Sequence, residues 1–300
     1  MEVNSKNVSK VYKIKKGLFR SYLVKVVENF NYSIKQGEII GLIGGERSGK
    51  STIVNLLSGK VAPSDGEILV DGENNRSKLR NSCEIISDFK KRKFIKNESV
   101  YNNLVRFGIK NKLSMVDIEK KISIYKDVFE LEKIINKRIG ELDNLSLIKV
   151  YLTISMLRGT SVLFFDSALS DLKVVERNVI LKMLKRLNKE YKTTIFVSSN
   201  DFIDIEKICK RITIIDRGLI IKDGPFEDLR NVLCNNKEIS ITFNKSVAIP
   251  EGDFEILENS DYMIRIRIDF NRCDFASLIN QFDIKTISDI NIASVSLAEL

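Results

Sequence analysis

The stretch GGERSGKS at residues 44–51 decides the fold of this 300-residue chain. It fits the pattern G-x-x-x-x-G-K-[ST], with the apolar strand pattern EIIGLIG leading into it and the helical pattern TIVNLLSG after it. A loop of this kind cradles phosphate groups, because its backbone N–H groups and the N-terminus of the following helix point at one place. The sequence therefore predicts a nucleotide-binding loop.

The side chains of this loop predict how a nucleotide is held. Lys50 is expected to neutralise the β and γ phosphate oxygens, and the hydroxyl of Ser51 is expected to ligate Mg²⁺. Farther along, the pattern SVLFFD predicts a buried strand that ends in Asp166, whose carboxylate would also hold the metal. The predicted nucleotide-binding residues of the loop are Gly44, Gly45, Glu46, Arg47, Ser48, Gly49, Lys50, Ser51 and Thr52.

The rest of the chain predicts an α/β fold with a mostly parallel sheet. Strand patterns at SVLFFD, TTIFVSS and RITIID alternate with helical patterns, of which the longest covers residues 174–190. Residues 97–160 break this alternation and predict a helical subdomain inserted in the α/β core. Farther on, the strand patterns EISITFN and YMIRIRIDF, a helix at ASLINQF and a last strand near ISDINIASV follow. We expect a first domain at 1–235 and a small α+β domain at 236–300.

Composition excludes several classes of protein. The chain is 43% hydrophobic and 30% charged, which is typical of a globular protein and not of a disordered or membrane-spanning one. It has no histidine, which excludes a Ser-His-Asp triad and any histidine-ligated metal. Four cysteines without CxxC spacing favour reduced thiols over a zinc site. The net charge of +9 leaves open nucleic acid, an anionic membrane surface or a lysine-rich proteome.

Several segments along the chain are arranged as in one known family. They are VSKVYK before the loop, SDGEILVDG after it, the helical insertion, LFFD, TTIFVSSND and RITIIDRGLIIKDGPFEDL. On these segments the chain resembles the ATP-binding subunits of ABC transporters. Within that superfamily, KKGLFRS, VVERNVILKMLKRLNKE and the strand-rich tail resemble the drug and viologen exporter group.

The resemblance implies a P-loop NTPase fold of the ABC type, with ATP and Mg²⁺ as ligands and Tyr12 stacked on adenine. It implies that the inserted helices contact integral-membrane permease subunits. It also implies a second ABC subunit, as a homodimer or a heterodimer, with each ATP between one P-loop and the LSGGQ-like signature of the other subunit. Such a chain would be cytoplasmic and peripheral on the cytoplasmic face of the membrane.

The chain departs from the family pattern at its catalytic positions. Ser167 follows Asp166, where the family has the glutamate that activates water, and a serine hydroxyl is no general base near neutral pH. Asn200 replaces the switch histidine and cannot relay a proton. Lys90 aligns with the expected glutamine, and Lys173 with the aspartate expected after Leu172.

The signature is also replaced. Leu142 is followed by Asp143, Asn144, Leu145 and Ser146 in the place of LSGGQ. A carboxylate at Asp143 would face the phosphate of an opposite subunit, but the preferred interpretation of Asp143 is a helix N-cap. An alternative register, Leu145-Ser146-Leu147, needs a three-residue deletion for which there is no independent sign. Arg47 replaces the middle glycine of the loop and is expected to weaken the phosphate cradle.

These losses predict a subunit that binds Mg-ATP and hydrolyses it negligibly, in support of an exporter permease. The alternative is a stand-alone adaptor or nucleotide sensor that keeps the fold for protein interaction. A nucleic-acid ABC protein is a third interpretation that only the charge suggests, and the expected partners include no nucleic acid. The tail domain is expected either to regulate a dimer or to act as a solvated stability domain.

Overall fold

The loop at residues 44–51 lies at the carboxyl ends of the parallel strands of a six-stranded sheet, in the first of two structural units, Met1–Asp223. A computed structural model of the chain describes residues 1–16, 20–87, 94–170, 172–199, 202–228, 236–247, 251–270 and 273–294. The strands that begin in this unit are β1 (Val3–Lys16), β2 (Arg20–Ile34), β3 (Ile39–Ile43), β4 (Asp65–Val70), β5 (Cys83–Ile86), β6 (Val162–Asp166), β7 (Thr194–Ser199), β8 (Arg211–Asp216) and β9 (Leu219–Pro225). Its helices are α1 (Lys50–Leu57), α2 (Arg76–Ser82), α3 (Val100–Lys110), α4 (Met115–Val128), α5 (Asn144–Leu157), α6 (Val174–Tyr191) and α7 (Phe202–Glu206).

The six-stranded sheet has the order β5-β6-β7-β3-β8-β9, and β5, β6, β7, β3 and β8 pair in parallel. Strands β3 and β6 are apolar and buried along most of their length, as expected for parallel strands that are covered on both faces. Because parallel strands end at the same edge, the loop after β3 and Asp166 at the end of β6 lie on one side of the sheet. The predicted α/β order is therefore present.

A second, antiparallel sheet has the order β2-β1-β4, which the sequence analysis did not predict. Tyr32 of β2 links this sheet to the parallel one, since its hydroxyl lies 2.5 Å from the hydroxyl of Thr213 on β8. Thr213 itself donates to Asp223 at 2.7 Å, so Tyr32 is the donor to Thr213. Burial is the main reason that the pKa of Tyr32 is raised, so its phenol stays protonated and keeps this hydrogen bond.

The predicted helical insertion at 97–160 contains α3, α4 and α5, together with a short 3₁₀ turn at Ile139–Glu141. Serine side chains cap the first two helices, because Ser99 accepts from the N–H of Asn102 and Ser114 from that of Asp117, both at 3.1 Å. Across the described residues, no helix has the length and the apolar character needed to cross a membrane.

The second unit, Gly224–Leu300, has its own hydrophobic core under a four-stranded antiparallel sheet. Its elements are β10 (Asn236–Phe243), β11 (Phe254–Ser260), β12 (Met263–Asp269), α8 (Phe275–Ile279) and β13 (Ile287–Ser294), with the strand order β11-β12-β10-β13. The sequence analysis did not predict β11, because most of its side chains are exposed and it lacks the apolar alternation of β10 and β12. The units divide after Asp223, whereas the domain boundary predicted near 235 falls among residues that the structure does not describe.

Candidate functional site

Lys50 lies buried inside its own loop, with 8% of the residue exposed. Its ammonium donates to the carbonyl oxygens of Gly44 at 2.5 Å and Gly45 at 2.7 Å. Burial is the largest influence and lowers the pKa of Lys50, while the nearby charges of Asp166 and Glu46 act against it. A phosphate group would offer this ammonium a stronger, charged acceptor than two backbone carbonyls.

Two glycines of the loop are required by its geometry. A side chain on Gly44 would come within 2.5 Å of the carbonyl oxygen of Ile215, so the strand-to-loop turn has room only for glycine. Gly49 has a φ of 103°, which L side chains rarely adopt. Arg47 also has a left-handed backbone, with φ of 62°, but it carries a side chain and is exposed. The loop therefore keeps its shape at Gly44 and Gly49 and is strained at Arg47.

The N-terminus of α1 has no side-chain cap. Gly49 is the N-cap residue and offers no acceptor, and the first intrahelical bond runs from the N–H of Ile53 to the carbonyl of Gly49 at 2.9 Å. The N–H groups of Lys50, Ser51 and Thr52 precede that bond, and such groups together with the helix dipole favour an anion. Ser51 is exposed at this end, so its hydroxyl is accessible to a metal that accompanies the phosphates.

Asp166 ends β6 with its side chain half-buried, on the same edge of the sheet as the loop. The hydroxyl of Ser198 on β7 donates to its Oδ1 at 2.7 Å. Sequence reasoning missed Ser198, although its place at the end of the neighbouring strand pattern TTIFVSS was a usable signal. Carboxylate and hydroxyl oxygens are donors that Mg²⁺ prefers, so Asp166 and Ser51 fit a magnesium ion held mainly by nucleotide phosphates.

The residue after Asp166 is exposed and has no carboxylate. Ser167 has a left-handed backbone with φ of 55° and donates its N–H to the carbonyl of Ser198 at 3.2 Å. Its own carbonyl accepts from the hydroxyl of Ser170 at 2.7 Å. These bonds form a turn that exposes Ser167 at the end of β6. Its hydroxyl is no general base near neutral pH.

The N-terminus of α5 has a side-chain cap. Asp143 is the N-cap residue, and its Oδ1 accepts from the N–H of Ser146 at 2.8 Å, which confirms the N-cap interpretation. The hydrogen bonds from Ser146 hold the pKa of Asp143 below the ordinary value, so the carboxylate is charged near neutral pH. Asn144 and Leu145 form the first turn of the helix, with half-buried side chains. An anion approaching this helix would meet a negative charge and an N–H group that is already bonded.

Comparison with known proteins identifies the family to which this domain belongs. The sequence profile described as ABC transporter matches residues 27–170. The chain carries an ATP-binding domain of the ABC transporter family.

Relatives of this ABC domain include import proteins. The methionine import ATP-binding protein MetN of Francisella tularensis subsp. holarctica is 32% identical over 209 residues, which cover 68% of this chain and 60% of that protein. The MetN protein of Lactobacillus acidophilus is 29% identical over 250 residues, which cover 79% of this chain and 68% of that protein. The chain thus spans about three fifths to two thirds of the length of these relatives.

Solved structures share the fold of the ABC domain. The cbiO1 protein from Clostridium perfringens, part of the ABC transporter complex cbiONQ, has a TM-score of 0.66 at 22% identity and covers 76% of this chain and 89% of its own. The ATP-binding cassette MJ0796, solved as a dimer bound to ADP and Pi, has a TM-score of 0.61 at 22% identity and covers 74% of this chain and 98% of its own. The predicted P-loop fold of the ABC type is therefore confirmed.

The structure describes two of the four remaining predicted positions, Tyr12 and Lys173. Tyr12 lies on β1, half-buried, with the ammonium of Lys10 at 5.2 Å from its ring centroid. Lys173 precedes α6, and its N–H donates to the carboxylate of Glu176 at 2.8 Å. Lys90 and Asn200 lie outside the described residues. The roles assigned to these four residues by resemblance stay predictions.

Proposed function

We propose that this chain is a degenerate ATP-binding subunit of an ABC transporter, which binds Mg-ATP and hydrolyses it negligibly. The observation that carries the proposal is the contrast between two helix N-termini. The N-terminus of α1 is uncapped beside the buried Lys50, whereas the N-terminus of α5 is capped by the charged Asp143. The first arrangement favours a phosphate group and the second opposes one.

The expected lack of hydrolysis rests on Ser167. In the family the residue after the strand carboxylate activates water, and loss of a general base costs about 10²–10⁴ in rate. Phosphate and Mg²⁺ contacts from Lys50, Ser51 and Asp166 need no proton transfer, so binding does not depend on the missing group. ATP would then act as a ligand that holds the subunit in one state, and the chain would be a pseudo-ATPase.

The proposed partner is a membrane permease. A cleft of about 550 Å³ lies along α3 in the helical insertion, and its lining combines apolar, basic and amide side chains that include Phe94, Phe107, Lys110 and Asn111. A peptide segment of a permease that carries apolar and acidic side chains would fit this lining. Such a partner would place the chain at the cytoplasmic face of a membrane, with a second ABC subunit beside it.

The direction of transport is predicted from sequence resemblance alone. The segments KKGLFRS and VVERNVILKMLKRLNKE resemble exporters, whereas the MetN relatives are import proteins. The exporter assignment therefore stays a prediction. The sequence of the permease that co-purifies with the chain from detergent-solubilised membranes would decide it, and a chain that captures no permease would favour the adaptor alternative.

Calorimetric titration of the purified chain with Mg-ATP tests nucleotide binding. We expect the wild type and the control Lys60→Ala, which removes an exposed lysine beyond α1, to bind alike. Lys50→Ala is expected to weaken binding at least 10-fold, because it removes a charge-assisted contact worth roughly 1.5–3 kcal/mol. Equal binding by Lys50→Ala and the wild type would contradict the predicted site.

Phosphate release from the same preparations tests the lack of hydrolysis. We expect turnover about 10²–10⁴ below that of a complete ABC ATPase measured in parallel. Turnover at the rate of the complete enzyme, abolished by Lys50→Ala, would show the pseudo-ATPase assignment to be wrong.

A further inference from the structure

The strands β1 and β2 leave the antiparallel sheet as a two-stranded ribbon. Pairing of β1 with β4 ends at Ser9, but its pairing with β2 continues to Lys16 opposite Arg20. Contacts with the chain around Ser64 support only the base of the ribbon, where the N–H of Val11 donates to the hydroxyl of Ser64 at 3.1 Å. At about 3.4 Å per residue, the strand extends roughly 14 Å between positions 12 and 16.

Large apolar side chains on this ribbon are exposed. Ile14 is 40% exposed, Tyr22 49% and Leu23 72%. Ile14 pairs with Tyr22 and Lys13 pairs with Leu23, so the first pair shares one face and the second pair lies on the other. A two-stranded ribbon has little stability of its own, and covering such side chains from water adds to its stability.

The charge of the ribbon has one sign. Residues 3–27 contain seven lysines and arginines and no aspartate or glutamate. Lys13, Lys15 and Lys16 are exposed, and among the described residues no acidic side chain pairs with them. Lys25 is neutralised by Glu28 at 2.6 Å, so the unpaired charge is concentrated toward the far end of the ribbon.

We propose that the β1–β2 ribbon contacts a membrane surface that carries anionic lipid. Lysines attract such a surface by roughly 1 kcal/mol each. Leu23 shares one face of the ribbon with Lys13 and Lys15, so this face lies on the membrane and Leu23 enters the lipid interface. Nucleic acid is the less suited partner, because six of the seven cations in residues 3–27 are lysines, which cannot make the bidentate contacts of arginine, and because Leu23 would stay in water.

Vesicle co-sedimentation with the full-length chain tests this contact. Vesicles of phosphatidylcholine alone are compared with vesicles that contain about one third phosphatidylglycerol, at low and high salt. We expect binding only to the anionic vesicles, weakened by salt. The triple variant Lys13→Gln/Lys15→Gln/Lys16→Gln should bind about 100-fold more weakly, from three charges at the surface.

A matched control removes three exposed lysines from α6, by Lys182→Gln/Lys185→Gln/Lys189→Gln, and lowers the net charge equally. This variant should bind vesicles within about threefold of the wild type, if the ribbon rather than the overall charge makes the contact. Leu23→Ser should weaken binding by about 10-fold, because an exposed leucine enters the interface. Thermal unfolding of each variant checks that the fold is unchanged.

Three results would overturn the proposal. They are no preference for anionic vesicles, equal loss of binding in the ribbon and α6 variants, and ribbon-dependent binding of duplex DNA without binding of vesicles. Lys50→Ala is expected to bind vesicles like the wild type, since the loop and the ribbon are separate features. The failure of the vesicle test is therefore distinguishable from the failure of ATP binding.

Discussion

At the scale of single residues, Arg47 is the strained position of the phosphate-binding loop. Its φ of 62° is left-handed, and a non-glycine residue there costs roughly 1–2 kcal/mol, while glycine costs about 0.5–1 kcal/mol through its freedom in the unfolded chain. We expect Arg47→Gly to raise the free energy of unfolding by about 0.5–1 kcal/mol. Urea denaturation measures this change.

Lys120→Gly is the control for that substitution, because Lys120 is an exposed basic residue in the interior of α4. Glycine there should lower the free energy of unfolding by about 1 kcal/mol, the opposite sign. Destabilisation by both variants would mean that the Arg47 side chain makes a contact that outweighs its backbone strain.

The second prediction at the scale of single residues concerns a carboxylate restored at position 167. Ser167→Glu returns a carboxylate to the position after Asp166, yet we expect phosphate release to rise by less than about 10-fold, against the 10²–10⁴ that a general base gives in a complete site. The reason is that the capped N-terminus of α5 supplies no donor for an opposite phosphate. Ser170→Glu, a carboxylate three residues later, is the control, and full turnover by Ser167→Glu alone would contradict the argument.

At the scale of elements, the cap of α5 makes a pH-dependent prediction. Asp143→Ala should lower the free energy of unfolding by about 1 kcal/mol at pH 7, because the N–H of Ser146 loses its acceptor. The folded-state pKa of Asp143 is depressed, so its contribution is complete above the unfolded pKa of about 4 and is lost as pH falls through the folded value. The difference from the wild type should therefore be constant between about pH 5 and 8 and shrink below about pH 4.

Asp143→Asn is the matched variant, since an asparagine side chain accepts the same hydrogen bond without a charge. It should cost a few tenths of a kcal/mol. Urea titrations across the pH range compare the three proteins. An Ala variant as stable as the wild type at pH 7 would mean that the cap contributes nothing to α5.

The sequence predicts those elements whose burial pattern is simple. Strands β3 and β6 are runs of buried residues, and α6 has helical spacing, so each is found within two residues of its predicted ends. The β1–β2 pair was missed because its lysines and exposed apolar residues give no regular alternation, and because register shifts interrupt its pairing between Ser5 and Val11. In the site, Lys50, Ser51 and Asp166 follow from a motif, whereas the contact of Ser198 with Asp166 depends on the order of strands β6 and β7.

At the scale of the whole molecule, each unit has its own hydrophobic core, and the proposed ligand binds only the first. A ligand at 100 times its Kd stabilises the unit that binds it by about 2.7 kcal/mol. For a unit of this size that raises the Tm by roughly 5–11 °C. We expect scanning calorimetry with saturating Mg-ATP to shift the transition of Met1–Asp223 and to leave that of Gly224–Leu300 in place.

Lys50→Ala supplies the reference for this experiment, because it removes the charge that holds the phosphates and leaves both cores intact. At the same Mg-ATP concentration the stabilisation of its first unit should fall to about half that of the wild type or less, because a Kd at least 10-fold weaker leaves the ligand at no more than about 10 times Kd. A single transition that moves as a whole would mean that the two units unfold together, so that nucleotide binding in the first unit also stabilises the second. A shift as large in Lys50→Ala as in the wild type would place the nucleotide elsewhere than the loop at 44–51.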